Sequence, residues 1–315
     1  MNTAQRIKNI NDLNDLGIRL ACTPTMQDAL RLHEIAADLS CSEDVPLDYL
    51  LISHANLGFA LRQLGDYDTP RGLLESDFMG LVGRALKTYS GIGRVFEELG
   101  LIVADDPRAV EPEKRMSAIT KGLDYFNYAI GKYREALVNS VAEVYTPQQL
   151  IQRELRTMGM RAPKARNLGE LTMGEESCDW FNKAVDYAQE EVNARKAMGE
   201  TSGQNLANAY HSLGQALTEI VSTNPENYHR AREAFDKAAA VPGVQENTLI
   251  TLQLRRAWLE YRKDATLVSV ISPSFDTFLA GVDKLTEADK NALRGRVVEL
   301  GDHLGGDYRE RAKLF

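Results

Sequence analysis

The sequence is short of the residues that mark disulfide frameworks, sheets and membrane spans. Its three cysteines, Cys22, Cys41 and Cys178, are scattered and form no CxxC pair. An odd, dispersed set of thiols suits neither a disulfide framework nor a zinc site. It reads as reduced cysteines in or near the core of a protein in a reducing, cytoplasmic compartment. Aromatic residues make up only 7% of the chain, while Ala, Leu, Glu and Arg are frequent. That balance favours helix over sheet. No window alternates apolar and polar residues for long, and only 101–103 and 267–271 have a strand-like run. No apolar run approaches the ~20 residues that a membrane helix needs. The longest, ATLVSVI at 265–271, is stopped by Ser272 and Pro273. The N-terminal MNTAQRIKNINDLNDLG lacks the apolar centre of a signal peptide, and nothing resembles a lipidation signal.

What remains is an ordinary folding composition: 315 residues, 43% hydrophobic, with a formal net charge of −8. The mean hydropathy is −0.33 and the pI about 5.3. The length allows two domains or one elongated array. An acidic chain argues against general nucleic-acid binding, which would need a local basic strip.

Helical periodicity runs from end to end. In Ala29, Leu32, His33, Ala36 and Leu39 the apolar stripe has spacings of three and four, and it places His33 in a core. Helix starts are marked by capping residues: Thr25 with Asp28, Thr146-Pro147 with Gln149, Thr172 with Glu175, Asn224-Pro225, and Thr286 with Asp289. These signals predict helices over 4–20, 26–40, 46–65, 75–100, 112–144, 147–159, 174–198, 202–221, 225–240, 245–263, 274–284 and 287–304. Pro163, Gly169 and scattered charge make 160–172 the expected linker. It would separate an N-terminal helical lobe, 1–159, from a C-terminal one, 173–315, unless the helices stack as one continuous array.

The most informative stretch is 205–240, NLANAYHSLGQALTEIVSTNPENYHRAREAFDKAAA. Leu206, Ala207, Tyr210 and Gly214 form one pattern, and Tyr228, Ala231, Phe235 and Ala238 another. The first resembles the opening helix of a tetratricopeptide (TPR) unit and the second its closing helix. Residues 54–67, HANLGFALRQLGDY, resemble another opening helix and turn, with Leu57-Gly58, Leu61 and Gly65-Asp66-Tyr67 in the corresponding places. Asp28–Leu39 resembles a preceding closing helix, and 121–137 and 180–192 are weaker echoes. The period of about 34 residues is not kept. A dozen extra residues separate Gly214 from Tyr228, Thr69-Pro70 stands where a small residue should open a helix, and 75–144 is too long and irregular. The resemblance therefore implies an all-α fold of antiparallel helix pairs, stacked as a divergent TPR-like solenoid with irregular, long helices.

It also implies a function. In TPR arrays the opening helices line a concave groove that binds proteins or peptides without catalysis. The matching positions here are Asn56, Phe59 and Arg62 in the earlier unit, Gln204, Asn205, Asn208 and His211 in the later one, and Gln253 and Arg256 in the next helix. The family uses such residues to clamp a peptide. Asn both donates to and accepts from a backbone amide, and Arg forks onto a carboxylate. Asn205, Asn208 and Arg256 would take that role, without the lysines that complete a carboxylate clamp. Partners of such a scaffold are a protein, a peptide or a second copy of the chain. A curvature-changing sensor of a peptide or small ligand is an alternative, although 1–45 is short for a DNA-binding domain and linker. A further alternative is nucleic-acid or acidic-partner binding through Arg153, Arg156, Arg161, Lys164 and Arg166, a run with a single acid, Glu154. No aromatic is interleaved there for base stacking.

Catalytic and metal constellations do not assemble in the sequence, so neither an enzyme nor a cofactor is expected. Asp105-Asp106 is similar to the start of the magnesium box of terpenoid synthases but lacks its third acid and second metal motif; before Pro107 it reads as a turn. Glu226 and His229 have half the spacing pattern of a di-iron helix pair, with no second half. Gly91 and Gly93 follow no strand, so they form no phosphate-binding loop.

Overall fold

The computed structural model describes residues 1–21, 25–77, 90–139 and 144–315. Cys22 and the centre of the expected 75–100 helix lie outside them. The described residues form helices joined by turns and loops, without a strand among them. They form two compact units, Met1–Lys164 and Ala165–Phe315.

In the first unit the helices Thr3–Leu20, Met26–Ser40 and Leu47–Gln63 pack in sequence, followed by Ser90–Ala104 and Pro112–Asn139. The last two show the packing rule most clearly. A Cβ on Gly93 would lie 2.5 Å from the Tyr133 ring, and one on Gly100 would lie 2.5 Å from the Phe126 ring. Seven residues forward on one helix match seven backward on the other, so the pair is antiparallel. Glycine is needed on one side because an aromatic ring from the other occupies the side-chain space. Leu51, Ala55, Val95, Leu99, Ala129 and Tyr133 form the centre of this core.

The second unit repeats the device. The helices Gly174–Ala197, Gln204–Glu219, Pro225–Ala240, Glu246–Lys263 and Val268–Gly281 each pack on the next, and Glu287–Leu304 packs on Gly306–Lys313. Alternate helices also touch: Gln204–Glu219 meets Glu246–Lys263, which meets Glu287–Leu304. Leu206 and Ala207 pack with Val241, while Trp258, Phe275, Phe278 and Leu293 fill a second cluster.

Several helix starts follow the capping rule. Gln149 N–H donates to Thr146 Oγ1 at 3.3 Å and Thr146 N–H to Gln149 Oε1 at 2.8 Å. Thr286 and Asp289 form a full capping box, and Asn224 Oδ1 accepts from Glu226 N–H. Thr25 makes no side-chain cap. Thr172 does not cap either, because its hydroxyl donates back to Leu168 C=O at 2.9 Å.

Three expectations change. Residues 160–171 do not interrupt the chain: one helix runs Pro147–Leu171, with Pro163 inside it, and the two units divide within this helix. Leu155, Met158, Ala162, Ala165 and Leu168 are all buried at spacings of three and four. Burying two leucines and a methionine contributes about 1.5–3 kcal/mol each, which outweighs the ~3 kcal/mol cost of an internal proline. The run 267–271 opens the Val268–Gly281 helix, and 101–103 lies within Ser90–Ala104. Cys41 and Cys178 are exposed rather than in the core and carry no disulfide.

Candidate functional site

The second unit presents a polar stripe along the Gln204–Glu219 helix, whose opposite side supplies the buried Leu206, Ala207, Leu213 and Leu217. Gln204, Asn208, His211, Gln215 and Glu219 recur at spacings of three and four, so they share one face. Gln204 Nε2 donates to Asn208 Oδ1 at 2.6 Å and to Thr248 Oγ1 at 2.7 Å, and its Oε1 accepts from Gln245 N–H. Asn205 and Asn208 are exposed.

Further along the stripe, Arg166 donates to Gln215 Oε1. The Gln215 amide therefore turns its NH₂ to His211 Nε2, 2.8 Å away. That contact makes Nε2 an acceptor and places the imidazole proton on Nδ1. Burial, followed by the charges of Arg255 and Arg166, lowers the His211 pKa to about 3, so the ring is neutral at pH 7. Arg166 and Arg255 act on His211, and Arg296, from a third helix, lies close enough to act on Arg255. Arg296 pairs with Glu170 at 3.0 Å and Glu219 at 3.7 Å, and lies over the Trp258 ring at 5.7 Å.

The structure distributes the sequence-predicted groove residues unevenly. Gln204, Asn208 and His211 lie along the stripe. Asn205 is one position round the helix. Gln253 is half-buried, and Arg256 turns away to Asp236 on the neighbouring helix at 2.7 Å. Its sequence neighbour Arg255 joins the stripe instead. One residue is about 100° of helix, and the repeat resemblance could not fix that angle. Arg166 entered the sequence reading as part of a basic run, and Arg296 and Trp258 did not enter as site residues; nothing local signals that four separate segments meet.

In the first unit Asn56 is buried and Phe59 half-buried. Arg62 stacks on Phe59 at 5.7 Å and forms a 2.6 Å ion pair with buried Glu98. The basic run is likewise spent on internal pairs. Arg153 and Arg156 approach Glu97 at 3.5 and 3.7 Å, buried Arg161 donates to Asn127 at 3.1 Å, and Lys164 meets Asp105. Arg166 belongs to the second unit. Asp106 accepts from Arg108 N–H in a turn. Among the described residues no cluster of His, Cys, Asp or Glu could hold a metal ion, and no helix is long and apolar enough to cross a membrane.

Neither a protein-family model nor a curated protein matches the sequence. Solved structures of TPR-like repeat proteins are similar to it. The TPR-like repeats of a kinesin light chain from Podosopora anserina share 15% identity, over 73% of this chain and 93% of that one, with a TM-score of 0.34. The TPR2AB domain of yeast Sti1, in complex with pHSP90, shares 12% identity over 96% and 98% of the two chains, with a TM-score of 0.29. The helix pairing of the described residues is by itself that of an all-α protein.

Proposed function

We propose that the protein is a non-catalytic scaffold that binds a protein or peptide along the polar stripe of the Gln204–Glu219 helix. The observation that carries this reading is the stripe itself, where amide side chains stand on a rigid, internally packed helix. Gln204 is held by Thr248 and Gln245, while exposed Asn205 and Asn208 keep polar groups turned to solvent. Asparagine suits a peptide backbone because it donates and accepts at once. A preformed helical surface spends little ordering entropy on binding, so a modest set of hydrogen bonds supports useful affinity. The basic run lends little to a nucleic-acid reading, because most of its charges are paired internally.

A displayed peptide library selected on the full-length protein tests the proposal. Selected peptides should bind the wild type and lose affinity for the Asn205→Ala/Asn208→Ala double variant. Equal binding to both would remove the stripe from the function.

A further inference from the structure

In the second unit buried Arg255 lies near half-buried Arg166 and Arg296, and few carboxylates stand against them. Arg255 is 8% exposed and makes no hydrogen bond or ion pair among the described residues. Arg166 reaches Glu170 at 3.8 Å, too long for a hydrogen bond, and Arg296 shares Glu170 and Glu219. Arg262 approaches Glu219 at 4.0 Å from the rim. Two carboxylates therefore serve at least three guanidiniums. His211 adds no charge, being held neutral, and its one acceptor nitrogen is taken by Gln215.

The unpaired atoms are all of one kind. The Nε–H groups of Arg166, Arg255 and Arg296 and the indole Nε1–H of Trp258 are buried without partners. All four are donors, and none of these groups can accept. Guanidinium groups do not shed their protons in proteins, so the charge cannot be relieved that way. Burial and the charges of Arg296 and Arg166 accordingly disfavour the protonated form of Arg255, in that order. An uncompensated buried charge is costly enough that structural arginines are normally paired.

The first unit also sets four guanidiniums against two carboxylates, and Arg94 Nε–H there is likewise buried without a partner, but every guanidinium of its cluster has a carboxylate in reach. There Arg62, Arg94, Arg153 and Arg156 face Glu97 and Glu98, with Arg94 donating to Glu98 at 3.1 Å and Tyr133 Oη–H to Glu97 at 2.7 Å. Each guanidinium in that cluster has a carboxylate within 4 Å. Arg255 has none.

We propose that Arg166, Arg255, Arg296 and Trp258 form a binding site for a single oxyanion. An oxyanion supplies what the cluster lacks: one or more negative charges and several lone pairs for unpartnered N–H donors. Carboxylate and phosphoryl groups share that chemistry, whether free in solution or carried on a larger ligand. The site stands independently of whether Asn205 and Asn208 hold a peptide.

Thermal unfolding of the full-length protein tests the proposal, with inorganic phosphate, sodium acetate or sodium chloride added at matched ionic strength. A bound anion stabilises the folded state by mass action and saturates, whereas general salt effects keep rising. We expect phosphate, acetate or both to raise Tm by about 2–4 °C beyond chloride, with saturation. A response to phosphate alone assigns a phosphoryl ligand, and one to acetate alone a carboxylate. Arg255→Leu should abolish the saturating response while leaving Tm in chloride unchanged or higher, because it removes an unpaired buried charge. Arg255→Lys, which keeps the charge but not the planar fork, should retain a weakened response. Absence of a saturating response in the wild type overturns the site, and so does an equal response in Arg255→Leu. The wild-type titration decides the matter even if a variant does not fold.

Discussion

The ring of Phe235 lies where a side chain at Gly214 would stand: a Cβ there would be 2.4 Å from the ring edge. Phe235 is 0% exposed, and the close approach joins the Gln204–Glu219 and Pro225–Ala240 helices. Gly17 with His33, Gly93 with Tyr133, Gly100 with Phe126 and Gly169 with Phe181 repeat the arrangement. A glycine opposite an aromatic lets two helix backbones approach while the ring fills the space between them.

Gly214→Ala should therefore destabilise the protein by overpacking, by about 1–3 kcal/mol, although alanine is the better helix former. Phe235→Ala should cost about 3–5 kcal/mol through the cavity it leaves. A bulky residue at fully buried Ala238 should cost about 1–3 kcal/mol for the same reason as Gly214→Ala. Denaturant unfolding monitored by circular dichroism measures all three. No loss in Gly214→Ala would show that the helices separate more easily than their packing implies.

Acidification should weaken both units through their buried histidines. His33 is 0% exposed, donates from Nδ1–H to Asn14 Oδ1 at 3.2 Å, and has its pKa lowered to about 4 by burial and then by Arg94. The His211 pKa is lowered to about 3. An unfolded imidazole takes its proton near pH 6.5. Between that value and the folded pKa the unfolded state holds more protons, so stability falls as pH falls from 6.5 towards 4 or 3. From pH 7 to 5 the fully buried His33 should contribute a loss of about 2 kcal/mol. Unfolding midpoints of wild type and His33→Gln across this range check it; parallel pH profiles would rule His33 out as the source.

Breaking the first unit's buried charge cluster should be severe. Glu98 is 1% exposed and holds Arg62 at 2.6 Å and Arg94 at 3.1 Å. Glu98→Gln would leave two guanidiniums short of charge, at a cost of about 3–5 kcal/mol. Chemical denaturation reads this directly, and a change under 1 kcal/mol would mean that Glu97 takes over the pairing.

The Asn205→Ala/Asn208→Ala variant should behave differently, losing peptide binding with a stability change within about 0.5 kcal/mol, as expected for exposed sites. Differential scanning calorimetry beside the binding assay separates the two effects.

The sequence by itself determined the helices and much of their pairing. Apolar spacing of three and four is a local property, and the starts at Pro147, Pro225 and Glu287 follow from residues immediately beside them. Gly214 and Phe235 were legible as members of two helix patterns built for close approach, while their contact with each other came from the structure. Only the tertiary structure decided that Pro163 lies within a helix, since the buried stripe from Leu155 to Leu168 supplies the compensation. It likewise decided that Arg255, and not Arg256, joins Arg166 and Arg296. Helix rotation is set by how whole faces pack, and a one-residue change in register turns a side chain by about 100°. A charge cluster built from separate helices leaves no mark in the order of its residues, because its meaning lies in what each charge finds, or fails to find, across the core.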